Sequence, residues 1–302
     1  MSQRQAILPQ VFDYERNARS LFDNLDVKES TRKDYQYRIG LFTEFVAREG
    51  LDSNSFLKFK RYLAARNGYS VSTKNKYLVT AKILLQELHR TGHLPNITQN
   101  VRTFSQNKRH KVEGVDNEEM LRVGEALQLL PQTPSNARLK AAVSLLALQG
   151  LREVEVVRLD VKDLDLVNKS AFVLGKGQDD KELVYLHPET VIALREHLRC
   201  SRISSGAVFT SLSNNSRNAR LTTRALRSLI TGLLHGLGIQ KTTHGFWHFF
   251  TTTLINSYKG DLLEVARYTR HRTLEMLQVY NDNIKLKADL PRFYKVFGTI
   301  KL

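Results

Sequence analysis

Apolar residues recur every three or four positions along most of this chain, and that rhythm changes in one stretch, residues 159 to 186. This switch of period constrains the fold more than any other feature. It predicts a mainly α-helical protein with one small antiparallel β-sheet in its second half. In the switched stretch, Val161, Leu164 and Leu166 precede the runs Ala171-Phe172-Val173-Leu174 and Leu183-Val184-Tyr185-Leu186, with Gly175 to Asp180 as the turn between the runs.

In the first third, Tyr35, Ile39, Phe42 and Val46 mark a helix capped by Ser30 and ending near Gly50. Phe56, Phe59 and Leu63 mark a second, ended by Asn67-Gly68. Ser72 opens a third, with Leu78, Ala81, Leu85 and Leu88 on its apolar face, Lys74, Lys76 and Lys82 among its polar residues, and Gly92 after its last turn. Helices follow near 117 to 130 and 136 to 149. After the sheet, helix starts fall at Pro188, Thr222, Thr243, Asp261 and Thr273, and a last helix lies near 287 to 297. A length of 302 residues suits two domains. The expected division is a helical bundle over 1–103, a linker over 104–116 and a second domain over 117–302. The linker is polar and basic, and its Lys108, Arg109 and Lys111 suit a phosphate backbone as well as they suit a solvated connector.

A net charge of +16 points to a polyanionic partner, nucleic acid ahead of an anionic membrane surface, because neutralising phosphates releases counterions. Residues 1 to 116 carry 20 basic and 12 acidic groups and the remainder 26 and 18, so both parts are +8. Such an even spread suits two lobes that both touch nucleic acid rather than a basic tail on a neutral body. No apolar run reaches membrane-spanning length, so no membrane partner is expected. The amino terminus lacks the pattern of a secretory signal, and a cytoplasmic location is expected. Cys200, the single cysteine, allows no internal disulfide and makes a zinc site improbable, so neither metal nor cofactor is expected.

Four segments hold residue types suited to phosphate chemistry. Gly150-Leu151-Arg152-Glu153-Val154-Glu155 sets Arg152 at a helix start, where its planar fork can bond two phosphate oxygens and Glu155 can orient it. An ordinary helical ion pair explains the same spacing. Lys176 sits at the hairpin tip, although most turn lysines do nothing specific. His244 opens a helix in Thr243-His244-Gly245-Phe246-Trp247-His248, at an end that favours anions, and a packed or capping histidine is the bland alternative. Tyr280 follows His271 by nine residues, and taken alone would be a packed aromatic.

Taken together and in this order, Gly-x-Arg-x-x-Glu at 150 to 155, the hairpin Lys176, His244, His271 and Tyr280 resemble the tyrosine recombinases, or phage integrases. The resemblance covers nearly the whole chain and is strongest to the simple, Xer-like two-domain members. It implies a SAM-like core-binding domain in front and a catalytic domain with a C-terminal helix behind. It also implies transesterification through a 3′-phosphotyrosyl link on Tyr280, without a cofactor. Arg152, His244 and His271 would stabilise charge on the phosphate, Lys176 would protonate the leaving oxygen, and Glu155 would orient. The implied partners are a duplex DNA recombination site and three further copies of the chain, a tetramer on two sites.

One position departs from the pattern. The family carries an arginine three residues after the first histidine, and this chain carries Trp247. An indole has one neutral donor and cannot bond phosphate as a fork. Losing one preorganised electrostatic group costs about 10²- to 10³-fold in rate. Arg224, Arg270 and Arg272 are the arginines that could replace it from another direction. Two readings therefore stay open, an impaired site-specific recombinase and a DNA-binding protein of recombinase fold with little strand transfer. General RNA binding is a third, distinguished by its indifference to a duplex site.

Overall fold

The computed structural model describes Ala18 and residues 21–106, 114–175, 177–271 and 273–296, arranged as two compact units, Met1–Asn107 and Lys108–Leu302. The fold class is the one the periodicity predicts, mainly helical with one small sheet among the described residues.

The first unit is built on α1 (Glu29–Glu49), α2 (Ser55–Ala64) and α3 (Val71–Arg90). Their apolar stripes meet in one core, where Ile39, Phe42 and Val46 pack with Phe56, Phe59, Leu63, Leu78, Ala81, Leu85 and Leu88. Phe42 and Phe59 meet edge to face, ring centroids 4.9 Å apart. Gly50 and Gly92 end α1 and α3 at φ of +77°, a conformation that glycine adopts without a Cβ penalty.

Two expected caps lie elsewhere. The extended residue before α1 is Lys28, so Ser30 lies inside the first turn. At α3 the hydroxyl of Ser70, not Ser72, accepts the Thr73 backbone N–H. Several polar residues stand near each start, and only the backbone conformation selects the cap. The chain stays packed on this unit as far as Phe104. The Phe104 N–H donates to Asn75 Oδ1 at 2.8 Å, and its carbonyl accepts from Asn75 Nδ2 at 3.0 Å.

The second unit runs through α4 (Asn117–Leu129), α5 (Pro134–Leu148), α6 (Glu153–Arg158), β1 (Leu164–Asp165), β2 (Ser170–Leu174), β3 (Lys181–Tyr185), α7 (Pro188–Ser201), α8 (Thr223–Gly236), α9 (His244–Ser257), α10 (Leu262–Thr269) and α11 (Glu275–Val296). Asp116 and Glu119 form a reciprocal capping box at the start of α4, and Pro134 occupies the first turn of α5. The strands pair antiparallel in chain order, with Ala171 opposite Leu164 on one side and Val184 on the other. Ala171 and Val173 face the core while Phe172 faces out, the alternation of a sheet covered on one side. The main core joins Leu145 and Leu146 of α5, Val173, Leu194 of α7, Ile230 of α8 and Phe246 of α9.

A smaller cluster, Trp247, Ile255, Val265, Leu277 and Tyr280, draws α9, α10 and α11 together. The last two expected helices, from Thr273 and near 287, are in fact one. The helix starts at Glu275 and runs unbroken to Val296 with Pro291 inside it. A proline deletes one helical hydrogen bond and strains one turn, which a helix bonded on both sides survives. No helix among the described residues is long and apolar enough to cross a membrane.

Candidate active site

The candidate residues come from four elements of the second unit and meet around Trp247. Gly150 ends the stretch after α5 at φ +57°, and a Cβ there would lie 2.2 Å from the Phe250 ring. Only glycine lets the backbone pass this close to α9, and Arg152 is thereby delivered to the start of α6. Glu155, fully buried on α6, accepts the Arg152 backbone N–H at 2.8 Å and its guanidinium at 3.2 Å. The expected ion pair is present, and the guanidinium Cζ also lies 5.6 Å from the centre of the Trp247 ring system.

His244 is the first residue of α9, so Trp247 and His248 follow it by about one turn on the same side. The His244 ring is solvent-exposed and stacks on the indole at 5.2 Å and 5°. His248 meets the indole edge-on at 5.4 Å, and His271, just beyond α10, lies at 5.2 Å. Tyr280 comes from α11, its ring 5.7 Å from the indole and its side chain buried. Its hydroxyl oxygen is 2.5 Å from His248 Nδ1. Arg152, His244, His271 and Tyr280 are thus brought together, with Trp247 filling the space between them. The indole Nε1–H is itself buried and finds no hydrogen-bond partner among the described residues.

Burial pushes the Tyr280 phenol well above its ordinary pKa, because an ionised oxygen there would lose its hydration. The same desolvation, reinforced by the Arg152 and Arg270 charges, holds His271 down at about 4, so its ring is neutral at neutral pH. His271 Nδ1 lies 2.7 Å from Thr269 Oγ1.

Of the three arginines named as stand-ins for the missing one, Arg270 reaches the site, but its guanidinium is already engaged. It donates to Glu155 at 2.8 Å and to the Gly150 carbonyl at 3.3 Å, and Nε lies 3.0 Å from Glu182 Oε1 of β3. Arg224 is exposed in the first turn of α8. Arg272 lies outside the described residues, as do Lys176, Lys108, Arg109 and Lys111. The hairpin that carries Lys176 nonetheless approaches the site, since a Cβ added at Gly175 would stand 3.9 Å from Glu155 Oε1. In the first unit, Lys74 donates to the Ala64 carbonyl at 2.8 Å, Lys82 is half-buried and Lys76 is exposed. Lys76 projects roughly 200° around α3 from Lys74, so the three do not share a face.

Two contributors, His248 and Glu153, escaped sequence reasoning, and a third, Arg270, was expected only as a stand-in for the missing arginine. His248 reads in sequence only as a flank of position 247, yet it is the side chain bonded to Tyr280. Arg270, at φ +57°, holds a backbone shape more usual for glycine and spends its charge on Glu155. Glu153 accepts hydrogen bonds from Thr243 and, at 3.0 Å, from Arg227, which ties the start of α6 to the residue preceding His244. Among the described residues, no group of three His, Cys, Asp or Glu side chains is placed to hold a metal ion.

The cluster gathers a tyrosine, an arginine and histidines, the side-chain types that nucleophilic and electrostatic chemistry on a phosphodiester employs. Residues 115–286 match the model of the phage integrase family. The chain belongs to the phage integrase family. Among curated proteins it is 32% identical over 157 residues to tyrosine recombinase XerC of Herpetosiphon aurantiacus, covering 51% of each chain. It is 26% identical over 280 residues to tyrosine recombinase XerC of Shigella flexneri serotype 5b, covering 89% of this chain and 90% of the relative. In the first of these matches, as in that to XerC of Haemophilus ducreyi, the chain spans about half the length of the relative. Among solved structures, the XerH site-specific recombinase bound to palindromic difH substrate superposes with a TM-score of 0.71 at 18% identity, over 87% of this chain and 79% of that one. A lambda integrase tetramer bound to a Holliday junction gives 0.66 at 14%, over 88% and 76%. These likenesses carry the fold, and the family membership rests on the sequence.

Proposed function

We propose that this integrase-family chain is a site-specific DNA recombinase whose nucleophile is Tyr280 and whose turnover is lowered by Trp247. The observation that carries the reading is the convergence of Arg152, His244, His271 and Tyr280 on one cluster. Tyr280 attacks the scissile phosphodiester, forms a 3′-phosphotyrosyl link and releases a 5′ hydroxyl, which conserves the bond for rejoining. Arg152, His244 and His271 donate to the non-bridging oxygens, Glu155 orients Arg152, and Lys176 protonates the leaving oxygen. Residues 1–103, with the basic linker 104–116, serve as a core-binding DNA-binding domain, and residues 117–302 as the catalytic domain. Four protomers act on two sites in the cytoplasm.

A second reading is a DNA binder with little strand transfer. The indole in the place of a guanidinium and the burial of Tyr280 favour it. A duplex site selected by the purified chain from random-sequence DNA, nicked beside the cleavage position, separates the two. A covalent adduct that is absent from Tyr280→Phe supports the recombinase, and no adduct at any time supports the binder. The Trp247→Arg variant is expected to cleave about 10²-fold faster with site affinity within a few fold. Unchanged cleavage would mean that Trp247 does not limit turnover.

A further inference from the structure

Tyr280 poses a chemical problem that the residues named so far leave open. Its phenol must lose a proton to become a competent nucleophile, yet burial disfavours the phenolate. Arg152 and Lys176 are acids. His271 Nδ1 is paired with Thr269 Oγ1, and the exposed His244 stacks on Trp247. The described contact to the Tyr280 oxygen is His248 Nδ1, at 2.5 Å, which is within the reach a general base requires. Two adjoining features hold this ring in place. The indole meets it edge-on, and Gly114 approaches so closely that a Cβ there would stand 2.5 Å from His248 Cβ.

We propose that His248 is a catalytic residue, the general base that takes the Tyr280 proton. The inference rests on the recombinase reading above. As the Tyr280 oxygen bonds to phosphorus, its proton passes to His248 Nδ1. The bond from phosphorus to the 5′ oxygen breaks, and that oxygen takes a proton from Lys176 or solvent. In rejoining, the imidazolium returns its proton to the departing phenol oxygen, so one residue serves both directions. The groups facing His248 are His244, with ring centroids 4.4 Å apart, and Trp247 on its own helix, and Tyr280 from α11. Arg152 and His271 join the same cluster against the indole.

The test is single-turnover cleavage of the nicked site by the full chain and its His248→Asn variant, each with Trp247 and with Trp247→Arg. The Asn Oδ1 occupies the place of Nδ1 and accepts the hydroxyl but cannot take its proton. The variant is expected to cleave about 10²-fold more slowly, with site affinity within a few fold, and its rate should climb with pH as hydroxide replaces the base. A substrate with sulfur at the bridging 5′ position, which departs without a proton, should leave that defect in place. An unchanged rate, a faster one, or a defect that the sulfur abolishes would overturn the proposal. Nitrogen-15 NMR of the unaltered, DNA-free chain gives a readout independent of how the variant folds. Nδ1 should be the unprotonated, hydrogen-bonded nitrogen, shifting in Tyr280→Phe, and a protonated Nδ1 overturns the assignment. Failure of every chain to form an adduct defeats both this proposal and the recombinase reading, whereas adduct formation indifferent to His248 defeats this proposal alone.

Discussion

Trp247 carries no charge, yet three imidazoles, a phenol and a guanidinium crowd around it. The neighbours take their chemical states from this crowding, and His271 shows the consequence most directly. Its pKa is held down to about 4, against an ordinary value of 6.5 in the unfolded chain. Between these values the unfolded state binds a proton that the folded state refuses, so folding stability falls as pH drops from 6.5 towards 4. Urea denaturation at pH 7 and pH 5 is expected to reveal this loss, and His271→Gln to remove its share of it. Arg270 supports the opposite charge. Glu155 is fully buried between Arg152 and Arg270, and Arg270→Met would leave that carboxylate with a single guanidinium. A loss of about 1.5–3 kcal/mol is expected in chemical denaturation, since the buried carboxylate loses one charged hydrogen-bond partner.

At the scale of elements, one backbone position governs how the site is assembled and another interrupts the last helix. Gly150 lets the segment entering α6 pass against Phe250 on α9. Gly150→Ala is expected to lower the melting temperature and to cost about 1–3 kcal/mol, because the new methyl group overlaps the ring and the left-handed φ penalises any Cβ. Pro291 acts in the other direction. It interrupts the hydrogen bonding of α11 in an exposed turn, and Pro291→Ala should raise helical circular dichroism and stabilise the helix by up to about 3 kcal/mol. An unchanged spectrum would mean that α11 bends around the proline without losing helix. The helices themselves were legible in the sequence because burial of one face imposes its period locally. Their caps at Ser70 and Lys28, and the fusion of two expected helices into α11, were not, because neighbouring polar residues offer equivalent caps and a proline leaves flanking turns intact.

For the whole molecule, each compact unit has its own core, and the positive charge is divided evenly between the two parts of the sequence. If both contact phosphates, affinity of the full chain for its duplex site should fall steeply with salt, and each unit alone should show a shallower slope. A slope for residues 114–296 equal to that of the whole chain would exclude the first unit from the DNA. Residue order along the sequence was enough to expect a mainly helical chain with one hairpin sheet and, through the family resemblance, to single out Arg152, His244, His271 and Tyr280. Each of these signals is local, whether a period or a motif. The bond from His248 to Tyr280 spans 32 positions and that from Arg270 to Glu155 spans 115. Periodicity tells a side chain which face to bury, not which distant partner it will meet there. The packing of α9 against α10 and α11 alone decided that Trp247 fills the centre of the site and that a neighbouring histidine holds the tyrosine.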